Sequence, residues 1–102
     1  MTDLGEWTWL PEMEEGLRNG TKLATIRRER PAQKGDILRG FGMAFEVDDM
    51  VRAPLRDIAR FYYPVLGVRS AEEVLAQLER CYLHHPPLDQ IVNLIRFHRR
   101  PE

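Results

Sequence analysis

The chain reads as a single α+β domain spanning residues 1–102: a small, curved β-barrel of about five to six strands, with two to three helices packed on it. Three observations predict this. Short extended runs bounded by glycine and proline outnumber the helical segments. The helical periodicities fall into two blocks, one ahead of the main strands and one behind them. A last extended run closes the chain after the helices, so it is expected to return and pair with an early strand. Such orders fold as a curved sheet or small barrel with helices over one opening.

Each element has a local reason. Trp7-Thr8-Trp9 alternates large and small residues and reads as a short first strand. Pro11 suits a helix start, and Glu12, Glu14 and Glu15 favour the positive end of the helix dipole. Met13 and Leu17 lie one turn apart, and Asn19-Gly20 stops this helix over residues 11–18. Residues 22–28 read as a strand, with Leu23, Thr25 and Arg27 on one face and Lys22, Ala24 and Ile26 on the other. Pro31 breaks it. Lys34-Gly35-Asp36 is a turn into Ile37-Leu38, and Gly40 and Gly42 predict a hairpin or bulge near Phe41. Residues 44–51 resume extended structure.

Pro54 then opens a short helix in which Leu55, Ile58, Ala59 and Tyr62 repeat at helical spacing, ended by Pro64 and Gly67. Ser70-Ala71-Glu72-Glu73 is a capping box that starts the best helix in the chain. That helix runs to about Tyr82, with Val74, Leu75, Leu78 and Tyr82 on its buried side. Pro86-Pro87 ends it, and residues 90–98 form the closing strand.

Composition narrows the function classes. No apolar run approaches the roughly 18 residues of a membrane span. The first residues, with Asp3 and Glu6, lack the basic start and apolar core of a signal peptide. A single cysteine excludes an internal disulfide and fits a reducing cytoplasm. Net charge is only −1, yet residues 1–17 carry five acids and no base, while residues 18–34 carry six bases against one acid. A local basic stretch on a near-neutral protein points to an anion site rather than a polyelectrolyte surface.

The chemistry-bearing residues concentrate in Gly20-Thr21-Lys22-Leu23-Ala24-Thr25-Ile26-Arg27-Arg28. Lys22 and Thr25 are three apart, so they share a face only if a bulge or a strand end intervenes. A desolvated lysine beside a hydroxyl has the makings of a base and a nucleophile, or of an oxyanion donor. Arg27, Arg28 and Arg30, with Lys34, are candidates for phosphate contact. On a regular strand Arg28 and Arg30 would cooperate while Arg27 turned away, towards an acid such as Asp36. Tyr62-Tyr63 and Trp7/Trp9 offer stacking surfaces for a base. No P-loop, dinucleotide fingerprint or nucleophile elbow is present, so no cofactor is called for. His84-His85 is adjacent rather than at zinc-ligand spacing, and Cys81 falls beside Val74 and Leu78 on the helix wheel, which reads as a buried, inert thiol.

The run from Gly20 to Arg28, followed by Lys34-Gly35-Asp36-Ile37-Leu38, resembles the signature of the ASCH domain family. The resemblance extends to a helix ending in glycine before the signature, a strand after Lys-Gly-Asp, Gly67-Val68-Arg69-Ser70-Ala71-Glu72-Glu73 at the long helix, and a closing strand over residues 92–98. It implies a compact PUA-like β-barrel, RNA or a modified nucleoside or nucleotide as partner, and a cationic cleft beside Gly-x-Lys-x-x-Thr. One branch hydrolyses the amide of N4-acetylcytidine with a lysine, a threonine and a glutamate. Lys22 and Thr25 match the first two. The glutamate's place, just before the long helix, is taken here by Leu66-Gly67.

Three readings follow. One is an RNA- or nucleotide-binding domain holding its ligand through Gly20, Thr21, Lys22, Arg27, Arg28, Arg30 and Lys34. Another is an amidohydrolase on acylated pyrimidine nucleosides through Lys22 and Thr25. The last is a protein-interaction domain that has lost the ligand site.

Overall fold

The longest strand organises the molecule. In the computed structural model, which describes residues 1–101, one sheet contains β1 (Asp3–Glu6), β2 (Ala24–Arg27), β3 (Ile37–Gly40), β4 (Met43–Pro54) and β5 (Ile91–Arg99). Their order is β1-β3-β4-β5-β2, parallel between β1 and β3 and antiparallel elsewhere. A 3-10 turn over Pro11–Met13 leads into α1 (Glu14–Asn19), and α2 (Leu55–Tyr62) and α3 (Ala71–Tyr82) connect β4 to β5. The α+β class and the return of the last strand hold: β5 pairs with both β4 and β2.

The hairpin near Phe41 forms as two central residues of positive φ, Phe41 at 53° and Gly42 at 78°. Turns of that kind match the twist of the strands they join. β4 shifts register against β5 between Val47 and Asp49. The extra residue bends the strand, so its first residues pair with β3 while most of its length pairs with β5.

Alternation along β5 divides the core. Val92 and Leu94 join Ile58, Leu66, Val74 and Leu78 under α2 and α3. Ile95 and Phe97 join Trp7, Leu17, Phe45 and Val47 on the other side, where α1 contributes Leu17. The helices therefore cover both faces of the sheet instead of gathering at one opening.

Several local expectations change. The first strand is Asp3–Glu6, not the Trp7-Thr8-Trp9 run. Trp7 is instead buried at 4% exposure and held where its amide reaches the Arg39 carbonyl. The strand read over residues 22–28 is regular only over Ala24–Arg27. Arg28 and Arg30 therefore share no strand face. Cys81 is exposed rather than buried.

The two edge strands, β1 and β2, are not joined by a hydrogen-bond ladder. Arginine side chains span the seam between them. Arg27 Nη2 donates to the Thr8 carbonyl at 3.0 Å, and Arg30 Nη2 donates to the Leu4 carbonyl at 3.1 Å. Both guanidiniums stack on Trp7, at 4.7 and 4.3 Å from its ring centroid, and Arg27 also lies 5.3 Å from that of Trp9. Asp36, the acid expected to meet Arg27, accepts the Thr2 and Gln33 amides instead.

Candidate functional site

Lys22 sits just ahead of β2. Its amide bonds the Gly16 carbonyl at 3.0 Å, and the next amide, Leu23, bonds the Val65 carbonyl at 2.7 Å while the Leu23 side chain turns outward. Because regular strand begins only at Ala24, strict alternation does not apply between Lys22 and Thr25. Both side chains line one cavity of about 30 Å³, room for about one water, together with Met13, Leu66, Gln77 and Cys81.

Two glycines clamp the lysine. A Cβ at Gly16 or at Gly67 would lie 3.1 Å from the Lys22 Cβ, closer than ordinary packing allows. Gly67 also has φ 80°, a conformation that side chains resist. The Lys22 amine, in a residue only 4% exposed, donates to the Leu66 carbonyl at 3.3 Å. No carboxylate pairs with it among the described residues. Burial pulls its pKa from 10.5 to about 7; the Arg27 charge adds to this and Cys81 opposes it. Near neutral pH the amine therefore takes up a proton as readily as it gives one.

Thr25 is 2% exposed, and its Oγ1 accepts from Arg27 Nη1 at 2.8 Å. That leaves the hydroxyl hydrogen free to donate into the cavity. Arg27 also donates to the Ile26 and Thr8 carbonyls, and burial holds its pKa below the ordinary value. It positions Thr25 and closes the seam.

Open clefts adjoin the cavity. One of about 310 Å³ is lined by Thr8, Trp9, Leu10, Arg80 and Tyr82, and another of about 350 Å³ by Arg28, Glu29 and Arg30; Arg27 and Tyr82 border both. Arg28 projects over the Tyr82 ring at 5.8 Å and makes no side-chain hydrogen bond or ion pair among the described residues. A further cleft of about 210 Å³, which shares Lys22 and Gln77 with the cavity, is also lined by Glu12, Glu15, Asn19 and Thr21. The cavity thus adjoins a basic, aromatic mouth and an acidic one.

The structure brings Lys22, Thr25, Arg27, Arg28 and Arg30 to one region. Gly20 instead caps α1 in the left-handed conformation, and Thr21 bonds Asn19 while edging the acidic mouth. Lys34 is exposed on the turn before β3 and lines none of these clefts. Of the aromatics, Trp9 reaches a cleft, Trp7 is core, and Tyr62 and Tyr63 pack against the helix-side cluster. Sequence reasoning missed Tyr82, Arg80 and Gln77 on α3. Tyr82 carries the periodicity of a core residue, and nothing in the α3 pattern says that its last turn overhangs β2. Among the described residues, no cluster of three or more His, Cys, Asp or Glu is placed to hold a metal, and no helix is long and apolar enough to cross a membrane.

No family model matches the chain, and no curated protein matches it in sequence. Solved structures do match. An ASCH domain from Lactobacillus crispatus JV V101 superposes with a TM-score of 0.62 at 10% identity, covering 93% of this chain and 78% of that one. The hypothetical protein PH0355 gives a TM-score of 0.75 at 18% identity, over 98% of this chain and all of the other. A Pyrococcus furiosus protein solved by NMR gives 0.63 at 18% identity over the full length of both. At these low identities the likeness is one of fold, and the fold of this chain is that of an ASCH-like domain.

Proposed function

We propose that this domain binds RNA or a nucleotide in the adjoining clefts bordered by Arg27 and Tyr82. The observation that carries the reading is the unpaired Arg28 over Tyr82, with Trp9 on a neighbouring wall and the Lys22–Thr25 cavity at the inner end. A guanidinium without an internal partner suits a phosphate, and the two rings suit a base. The cavity is too small for a ring, so Lys22 and Thr25 receive an end group such as a carbonyl oxygen. Fluorescence anisotropy with a labelled hexauridylate across a salt series tests this. Binding that weakens with salt, and an Arg28→Ala protein that loses about one unit of salt slope, support it. Salt-independent binding, or an unchanged Arg28→Ala, rejects it.

The buried, half-neutral Lys22 beside Thr25 favours a second reading, hydrolysis of an acylated pyrimidine nucleoside such as N4-acetylcytidine. There Lys22 takes the Thr25 proton, the Thr25 oxygen attacks the acyl carbon, and the C–N bond breaks as the leaving nitrogen takes the proton back. A water, its proton taken by Lys22, then splits the Thr25 ester, releasing the acid and restoring the hydroxyl. The Leu66 carbonyl supplies the acceptor that orients the amine in place of a carboxylate. Cytidine release from N4-acetylcytidine that disappears in Lys22→Ala supports the reading; absence of release from folded wild-type protein ends it.

A further inference from the structure

Arg80 borders the same cleft as Trp9 and Tyr82, yet its guanidinium is turned onto another partner. Its Nε and Nη2 donate to the two oxygens of Glu12, at 2.9 and 2.8 Å. The partners are 68 residues apart in sequence, so the pair is a tertiary link from α3 to the 3-10 turn. It joins the two walls that contribute Met13 and Gln77 to the Lys22 cavity. Both side chains are about half exposed, 49% and 48%.

Those facts make the pair cheap to open. A half-exposed ion pair adds little to stability. The fork-to-carboxylate geometry is also the one a guanidinium offers to phosphate oxygens. We propose that Arg80 is a phosphate ligand of the nucleotide cleft and that Glu12 is its internal competitor: binding moves the Arg80 guanidinium from the Glu12 carboxylate to the phosphate. The proposal rests on the nucleotide-binding reading and adds a residue and a regulating contact to it. Glu12 lines the acidic mouth rather than this cleft, so its pair with Arg80 holds the guanidinium away from a phosphate in the cleft. Release also unties the 3-10 turn from α3, so phosphate capture at the mouth loosens the wall over Lys22.

The experiment is a double-mutant cycle on hexauridylate affinity, with wild type, Glu12→Gln, Arg80→Ala and the double substitution. Glu12→Gln is expected to bind on the order of fivefold more tightly, the scale of an exposed pair. Arg80→Ala is expected to bind more weakly, and the double variant to match Arg80→Ala, because Glu12 acts through Arg80. Tightening that persists without Arg80 would mean plain charge repulsion and would overturn the competition. Wild-type binding left unaltered by Glu12→Gln overturns it too, with the nucleotide reading intact. No binding by any of the four proteins removes the nucleotide reading and this inference together.

Discussion

Folding moves the Lys22 amine from water into a cavity of about 30 Å³ and leaves it a single acceptor, the Leu66 carbonyl. The cost depends on pH. The folded pKa is about 7 against an ordinary 10.5, so between those values the unfolded chain binds the extra proton. Stability should therefore rise from about pH 7 towards pH 10.5, with the full penalty present below 7. Lys22→Met, which keeps length without charge, is expected to flatten that slope and to gain on the order of 2 kcal/mol at pH 7. Urea titrations of both proteins at pH 7 and pH 9 check this; parallel slopes would mean that the amine is solvated. Any turnover that uses Lys22 as base should climb through pH 7 and level off above it. From sequence Lys22 and Thr25 were legible as candidates only, because a spacing of three puts them on opposite faces of a regular strand; the start of β2 at Ala24 is what lets both line one cavity. The burial that makes the lysine unusual was not, since it depends on Gly16 and Gly67, which lie far apart in the chain but converge on its Cβ.

The site is held by connections more than by the strands. The α2–α3 loop offers Val65 and Leu66 carbonyls to Leu23 and Lys22, and α1 offers the Gly16 carbonyl to the Lys22 amide. Gly67→Ala must place a Cβ 3.1 Å from Lys22 Cβ and 3.3 Å from its Cα, at positive φ. It should cost about 1–3 kcal/mol and move the lysine. A lowered urea midpoint with altered hydrogen exchange at Lys22 and Leu23 is the expected signature. Ser70→Ala loses a cap that accepts the Glu73 amide at 3.2 Å and should cost about 1 kcal/mol without touching the cavity. The α3 cap, the α2 stripe and the β3–β4 hairpin were legible because capping, periodicity and turn chemistry are local. β1 was not: Asp-Leu-Gly-Glu has no strand-forming bias, and only pairing with β3 and the doubly bonded Asp3–Arg39 ion pair make it one. The last turn of α3 escaped for a similar reason, since which residues overhang β2 is fixed by how the helix docks.

Across the whole molecule, the five-stranded sheet has two ends that meet at a seam, and guanidiniums bridge it by bonding backbone carbonyls and stacking on Trp7. The basic run that reads as a ligand surface is thus divided: Arg27 and Arg30 bind the protein itself, whereas Arg28 lies over Tyr82 without a side-chain hydrogen bond or ion pair among the described residues. Arg27→Ala should destabilise by about 2–3 kcal/mol, through lost bonds to two carbonyls and an unsupported Thr25, and a fall in melting temperature measures it. Salt should weaken any phosphate binding yet leave the melting temperature nearly unchanged, because the seam bonds end on neutral carbonyls. A sheet with free ends ordinarily templates the addition of further strands from other molecules. Here the side chains that tie β1 to β2 also keep those two backbones turned towards each other. Loss of both Arg27 and Arg30 would therefore do more than soften one protein: it would uncover two growth points per molecule at once, and concentrated solutions of that double variant should assemble into thioflavin-positive fibrils that the wild type does not form.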